Sequence, residues 1–367
     1  MSWCMGQRAE YREREKINQL VKLIEKISGG RSLTVMEVCG THTVAVFRHG
    51  LKSILPPNIR LVSGPGCPVC VTPVSAIDQA VVYARQPDTI LATYGDMMKI
   101  PGSQSSLLEE KAKGCDVRIV LSAMDPLQLA ADHPQKRVIF WAAGFETTAP
   151  TVAAAILMAE KMRLKNFYLY SLCKQMPPVL HALVAGGEVN IDGILCPGHV
   201  SAVAGTEIYQ FLPRDFALPC VVAGFEAADI LESIALLAAQ IIRKKPRVIN
   251  QYLRAVRPEG NPKALKTLYS VFEPADTEWR GLGTIPRSGL KLREKYRFYD
   301  AQAAFPMAAV SSRERPGCLC GRILRGLNTP GDCSLFAVSC TPDNPAGPCM
   351  VSSEGTCATH LKYRGVI

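Results

Sequence analysis

From about Pro56 to residue 245 the chain alternates short apolar segments with helical stretches, and this rhythm restricts its fold more than any other feature of the sequence. Strands are expected near 59–63, 89–93, 117–122, 137–142, 166–172, 191–196 and 219–223. Strand and helix in strict alternation predict an α/β protein with parallel sheets. In such sheets a ligand crevice opens beyond the carboxyl ends of the strands. The loops at Cys39, Cys67, Thr93, Gly144 and Cys196 each follow an apolar strand and are expected to line one cleft. Residues 61–77 resemble residues 193–208, and Gly-Phe-Glu recurs at 144–146 and 224–226, which is the pattern two related α/β halves would leave. After a helix at 226–245 the expectation is another helical stretch over 248–273, then a basic loop-like segment.

A length of 367 residues favours two or three domains, and 48% hydrophobic with 20% charged residues describes a globular chain. The first twenty residues lack an apolar core of signal-peptide length, and Asp229 and Glu232 interrupt the apolar stretch from Ala227 to Ile242. The expectation is a cytoplasmic protein that spans no membrane. Fourteen cysteines in such a chain point to metal or redox thiols rather than to a secreted disulfide framework. The net charge of +10 is scattered along the chain, and aromatic residues, at 7%, do not interleave with it. A solvated surface is expected, and no nucleic-acid partner. No GxxxxGK[ST] segment is present, which argues against a P-loop.

Residues 7–28 predict an amphipathic helix with Ile17, Leu20, Val21, Ile24 and Ile27 on one stripe, ended by Gly29 and Gly30. The strand expected at 33–38 runs into Cys39, Gly40, Thr41 and His42. A thiolate and an imidazole on one tight loop fit soft ligation of a low-spin iron and fit a Cys/His catalytic pair equally well. In GPGCPVC, Cys67 and Cys70 have the spacing of a redox dithiol, with a zinc half-site as the competing reading. Glu146 in GFETTAP and His199 in CPGH also stand at expected strand ends, where each could serve the cleft or simply form core hydrogen bonds. Thr147, Thr148 and Pro150 read as an ordinary helix start. Cys4, Cys115, Cys173 and Cys220 have no motif around them and read as inert.

The tail, rich in Gly and Pro, carries Cys318, Cys333, Cys340 and Cys357 at intervals of fourteen, six and sixteen residues. With few apolar runs it can bury little surface of its own, so four thiolates on one inorganic centre would offset its ordering entropy. Cys320 and Cys349 lie in the same segment and are left for redox chemistry.

In order, VCGTHT, GPGCPVC, TYGDMMKIPGS, GFETTAP, CPGHVS and the tail GCLCGRILRGLNTPGDCSLF with CTPDNPAGPCMVSSEGTCA closely resemble the HypD family of hydrogenase formation proteins, from about residue 10 to the end. The resemblance implies a scaffold that, with the chaperone HypC, assembles an iron carrying two cyanides and one carbon monoxide, Fe(CN)2(CO), for [NiFe] hydrogenases. Cyanide would come from HypE with HypF. It implies that Cys39 holds that iron with His42 beside it, and that Cys67 and Cys70 are a dithiol near it. Cys318, Cys333, Cys340 and Cys357 would ligate a [4Fe-4S] cluster, the preference for Cys318 over Cys320 resting on the family's spacing. Cys320 and Cys349 would then relay between cluster and cleft. The implied fold has two similar parallel-sheet α/β domains around a cleft, 56–135 and 136–245. A third, mostly helical or irregular Fe-S domain would combine 1–55 with 246–367. Two further readings stand beside it: an Fe-S enzyme using Cys39 and His42 as nucleophile and base on a small substrate, and a zinc-stabilised module that binds nucleic acid.

Overall fold

In a computed structural model the structure describes residues 2–307 and 311–364, with side chains from residue 13 onward. The side chain of Cys4 lies outside the described ones. The strands are β1 (Leu33–Glu37), β2 (Ile59–Ser63), β3 (Thr89–Thr93), β4 (Val117–Ile119), β5 (Arg137–Gly144), β6 (Phe167–Cys173), β7 (Gly193–Pro197), β8 (Cys220–Ala223), β9 (Val248–Asn250), β10 (Phe272–Trp279) and β11 (Gly283–Leu292).

Two parallel sheets form, one in the order β2-β1-β7-β8-β9 and one in the order β4-β3-β5-β6. The α/β class read from the strand-helix rhythm is therefore present. The central strands read as continuous apolar runs because helices cover both faces: β3 and β8 are buried at every residue. Strand pairing cuts across the division at residue 135, since β5 and β6 join β3 and β4, whereas β2 joins β7, β8 and β9. β1, expected to belong with the tail, lies in the middle of the five-stranded sheet between β2 and β7. Burial explains this placement: Leu33, Val35 and Met36 are each at most 1% exposed, so the strand needs neighbours on both edges and cover on both faces. The likeness between 61–77 and 193–208 relates two strands of this one sheet and does not relate one sheet to the other.

The N-terminal helix, Ser2–Ser28, packs the expected stripe around Ile24 against the helix Ala227–Arg243, and Gly29 and Gly30 end it with positive φ. The helical stretch expected over 248–273 is not one helix. β9 comes first, a turn around Pro258 and Gly260 breaks the run, and the helix proper is Pro262–Val271. The segment expected as a basic loop is the antiparallel hairpin β10–β11. It seals the cysteine region: Trp279 is fully buried and stacks on Phe145, and Arg280 N–H donates to Val71 O at 3.0 Å. The tail carries short helices, Cys320–Leu324, Pro348–Val351 and Thr356–Lys362, joined by turns. No described helix is long and apolar enough to cross a membrane.

Candidate thiol centre

The site begins where β1 and β2, neighbouring parallel strands, release their loops at the same sheet edge. Gly64 N–H donates to Glu37 O at 2.7 Å and Gly40 N–H to Gly66 O at 3.2 Å, so the CGTH and GPGCPVC loops are bonded backbone to backbone. Gly66 is required by this approach: a Cβ there would collide with the backbone of Val38 and Cys39. Cys39 precedes the helix Gly40–Arg48, which carries His42 on its buried first turn.

Burial sets the electrostatics of this loop. The Cys39 thiol is pushed up to about 12 by burial, and the backbone N–H groups of His42 and Thr41 offset only part of that. Burial pushes His42 down to about 4, so its ring is neutral near pH 7. His42 Nε2 lies 3.0 Å from Gly224 O and therefore carries the proton, while Nδ1 makes no hydrogen bond. Such a pair makes a poor nucleophile and base in isolation, because forming thiolate and imidazolium here would create two buried charges. A metal reverses this preference, since ligation replaces the thiol proton with a cation.

Around the pair stand groups that sequence reasoning passed over. Phe225, from the loop after β8, is flanked by His42 at 4.7 Å and by His199 at 4.0 Å between ring centroids. Glu354 reaches in from the tail: its Oε1 accepts from Thr41 Oγ1 at 2.6 Å, and its backbone and Cβ lie where Gly40 would carry a side chain. Their only sequence signals were membership of the GFE repeat and of the SSEGTCA motif. Glu146 is brought to a different role. Its Oε1 accepts from Met176 N at 2.8 Å at the start of the helix Met176–Ala185, and burial raises its carboxyl to about 7. His199 is exposed at the start of Gly198–Ala204, and desolvation lowers its ring's pKa.

The sulfurs form a connected set. Cys70 N–H points at Cys67 Sγ at 3.2 Å, and both side chains are buried in one cluster with Phe145, Cys320, Cys340, Cys349 and Cys357. Cys320 Sγ lies 2.6 Å from Cys349 Sγ, and the Cys349 thiol is also within hydrogen-bonding reach of Cys70 and Cys357. Cys318 sits beside Cys320, and their mutual hydrogen bond, then burial, raises its thiol. All six tail cysteines, 318, 320, 333, 340, 349 and 357, ring one apolar cavity with Ile323, Leu335, Phe336 and Met350. Ala346 N–H donates to Cys340 Sγ at 3.2 Å, the kind of amide contact that supports a thiolate. Among the described residues no three His, Cys, Asp or Glu side chains are grouped to hold a single metal ion. Cys196, expected in a cleft loop, lies inside β7 with its thiol against Cys220. Cys173 is buried and Cys115 half-buried, both away from the set.

Fold and site together define a thiol-rich parallel α/β protein whose cysteine tail folds back onto the carboxyl ends of its strands. A family model described as "HypD: Hydrogenase formation hypA family" matches residues 15–364. The chain is 45% identical over 363 residues to "Hydrogenase maturation factor HypD2" of Bradyrhizobium diazoefficiens, covering 96% of each. It is 44% identical over 362 residues to "Hydrogenase maturation factor HypD" of Escherichia coli, covering 97% of each, and 42% identical over 362 residues to "Hydrogenase maturation factor HypD" of Azotobacter vinelandii, covering 96% of each. The chain belongs to the HypD family of hydrogenase maturation factors.

Proposed function

We propose that the protein is a redox-active cytoplasmic scaffold for [NiFe] hydrogenase maturation, on which Fe(CN)2(CO) is assembled as cargo together with a HypC-type chaperone, with HypE and HypF supplying cyanide. The observation that carries this reading is the succession of neighbouring thiols from Cys67 and Cys70 through Cys349 to Cys320, the last two with sulfurs 2.6 Å apart, beside the loop that holds Cys39. Cys39 is the ligand for the cargo iron. Burial keeps its thiol protonated in the absence of metal, so the loop would carry no buried anion before ligation. His42 keeps a neutral ring beside it, with Nε2–H directed at Gly224 O and Nδ1 unbonded.

Cys318, Cys333, Cys340 and Cys357 would hold a [4Fe-4S] cluster. The fit rests on the donor set: soft sulfurs around an apolar cavity, with an amide donor aimed at Cys340. Bound there, the cluster would supply single electrons to nearby thiols. The chain's own thiols then exchange in pairs. Cys349 attacks Cys70 of a Cys67–Cys70 disulfide, forming a Cys70–Cys349 bond and releasing Cys67 as thiolate. Cys320 attacks Cys349, forming the Cys320–Cys349 disulfide and releasing Cys70. One pair is oxidised by two electrons, the other is reduced by two, and two protons pass to the released thiolates.

Anaerobically purified protein, co-expressed with its chaperone, tests the reading. Expected are about four iron and four sulfide per chain in addition to cargo iron, with cyanide and carbonyl bands in the infrared. Zinc without sulfide, and no such bands, would overturn it.

A further inference from the structure

A cavity of about 560 Å³ lies outside the thiol centre, between the segment 99–109 and the tail residues 313–316 and 343–346. One wall is Arg280 at the tip of the β10–β11 hairpin, with a side chain only 1% exposed. Nε and Nη1 of this guanidinium make no hydrogen bond, although Glu314 Oε1 approaches Nε at 3.5 Å without hydrogen-bond alignment. A buried cation with unmet donors is costly and calls for an anionic partner.

The mouth of the cavity supplies more positive charge. Lys99, Arg313 and Arg315 line it and are exposed. Three carboxylates share the walls and do not cancel this arrangement. Glu109 is occupied by Ser105 Oγ and Ser106 N–H, Glu314 is the loose companion of Arg280, and Asp343 is the third. Lys99 to Ser103 come from the TYGDMMKIPGS motif, to which the assembly reading gives no task. Gly102 makes the turn there by lying against Asp78, which also holds Ser103.

We propose that this cavity binds a phosphate-bearing small molecule, with the phosphate on Arg280 and the remainder of the ligand extending toward Lys99, Arg313 and Arg315. A guanidinium fork matches phosphate oxygens, and a phosphate near −2 suits one buried and several rim cations better than a carboxylate would. The cavity also exceeds what a bare oxyanion fills, which is why a larger molecule carries the group. Ala346 lines both this cavity and the cysteine cavity, and Arg280 faces Cys318 and Cys320. An occupant here therefore lies next to the sulfur centre.

Binding of inorganic phosphate and pyrophosphate to the full-length chain, followed by calorimetry at fixed ionic strength, tests the site and does not depend on the assembly reading. Expected is saturable binding, tighter for pyrophosphate. Arg280→Lys and the rim variant Arg313→Gln with Arg315→Gln should each weaken it about tenfold. Glu314→Gln should tighten binding severalfold, because the phosphate no longer competes with a carboxylate for Arg280. The rim and Glu314 substitutions are at exposed positions, so they read binding without disturbing the core. No saturable binding to the unaltered chain, or binding that neither the rim variant nor Glu314→Gln changes, would overturn the proposal.

Discussion

Gly66 lies directly against the backbone of Cys39, and no other residue type fits there. This contact joins two loops that are 27 positions apart in sequence and makes them one site. Substituting Gly66→Ala forces the loops apart, and a loss of about 2 kcal/mol or more is expected in urea unfolding. Recovery of stability by a shift of the GPGCPVC loop would show in the same variant as failure to load iron at Cys39.

The division of labour among the tail sulfurs makes a separable prediction. Cys349→Ser should leave about four iron and four sulfide per chain, because none of the four proposed ligands is touched. It should also leave a Cys67–Cys70 disulfide that alkylation and mass spectrometry find unreduced under conditions that reduce the unaltered protein. The pair Cys318→Ser and Cys320→Ser tests the choice of ligand, with loss of iron expected in the first and retention in the second.

Glu146 acts as a helix anchor at the strand end, and its titration is readable. Burial raises its carboxyl from 4.5 to about 7, so the folded chain keeps a proton that the unfolded chain has lost across that interval. Its contribution is complete below pH 4.5 and is lost as pH rises through 7. Glu146→Gln should flatten that part of the stability profile and keep an acceptor for Met176 N–H. Glu146→Ala strands the buried amide and should cost about 1–3 kcal/mol in chemical denaturation.

Much of this architecture was legible in the chain. The apolar runs at 59–63 and 89–93 coincide with β2 and β3, and the stripe around Ile24 marks the face that packs on Ala227–Arg243. Local periodicity reports burial and cannot report which strands pair, so the move of β2 and β1 into one sheet with β7 was beyond it. The hairpin was hidden for a related reason: Pro274 and Pro286 interrupt its alternation, and a bulge shifts its register near Ala275. Glu354 and Phe225 enter the site only through tertiary contact, so no spacing rule could single them out.

The central claim is that Cys39 holds the cargo iron independently of the tail cluster. Infrared spectra and metal analysis of Cys39→Ala, co-expressed with the chaperone and purified without oxygen, test it most directly. The account predicts that cyanide and carbonyl bands disappear while about four iron and four sulfide per chain remain. Bands of undiminished intensity in that variant would contradict it.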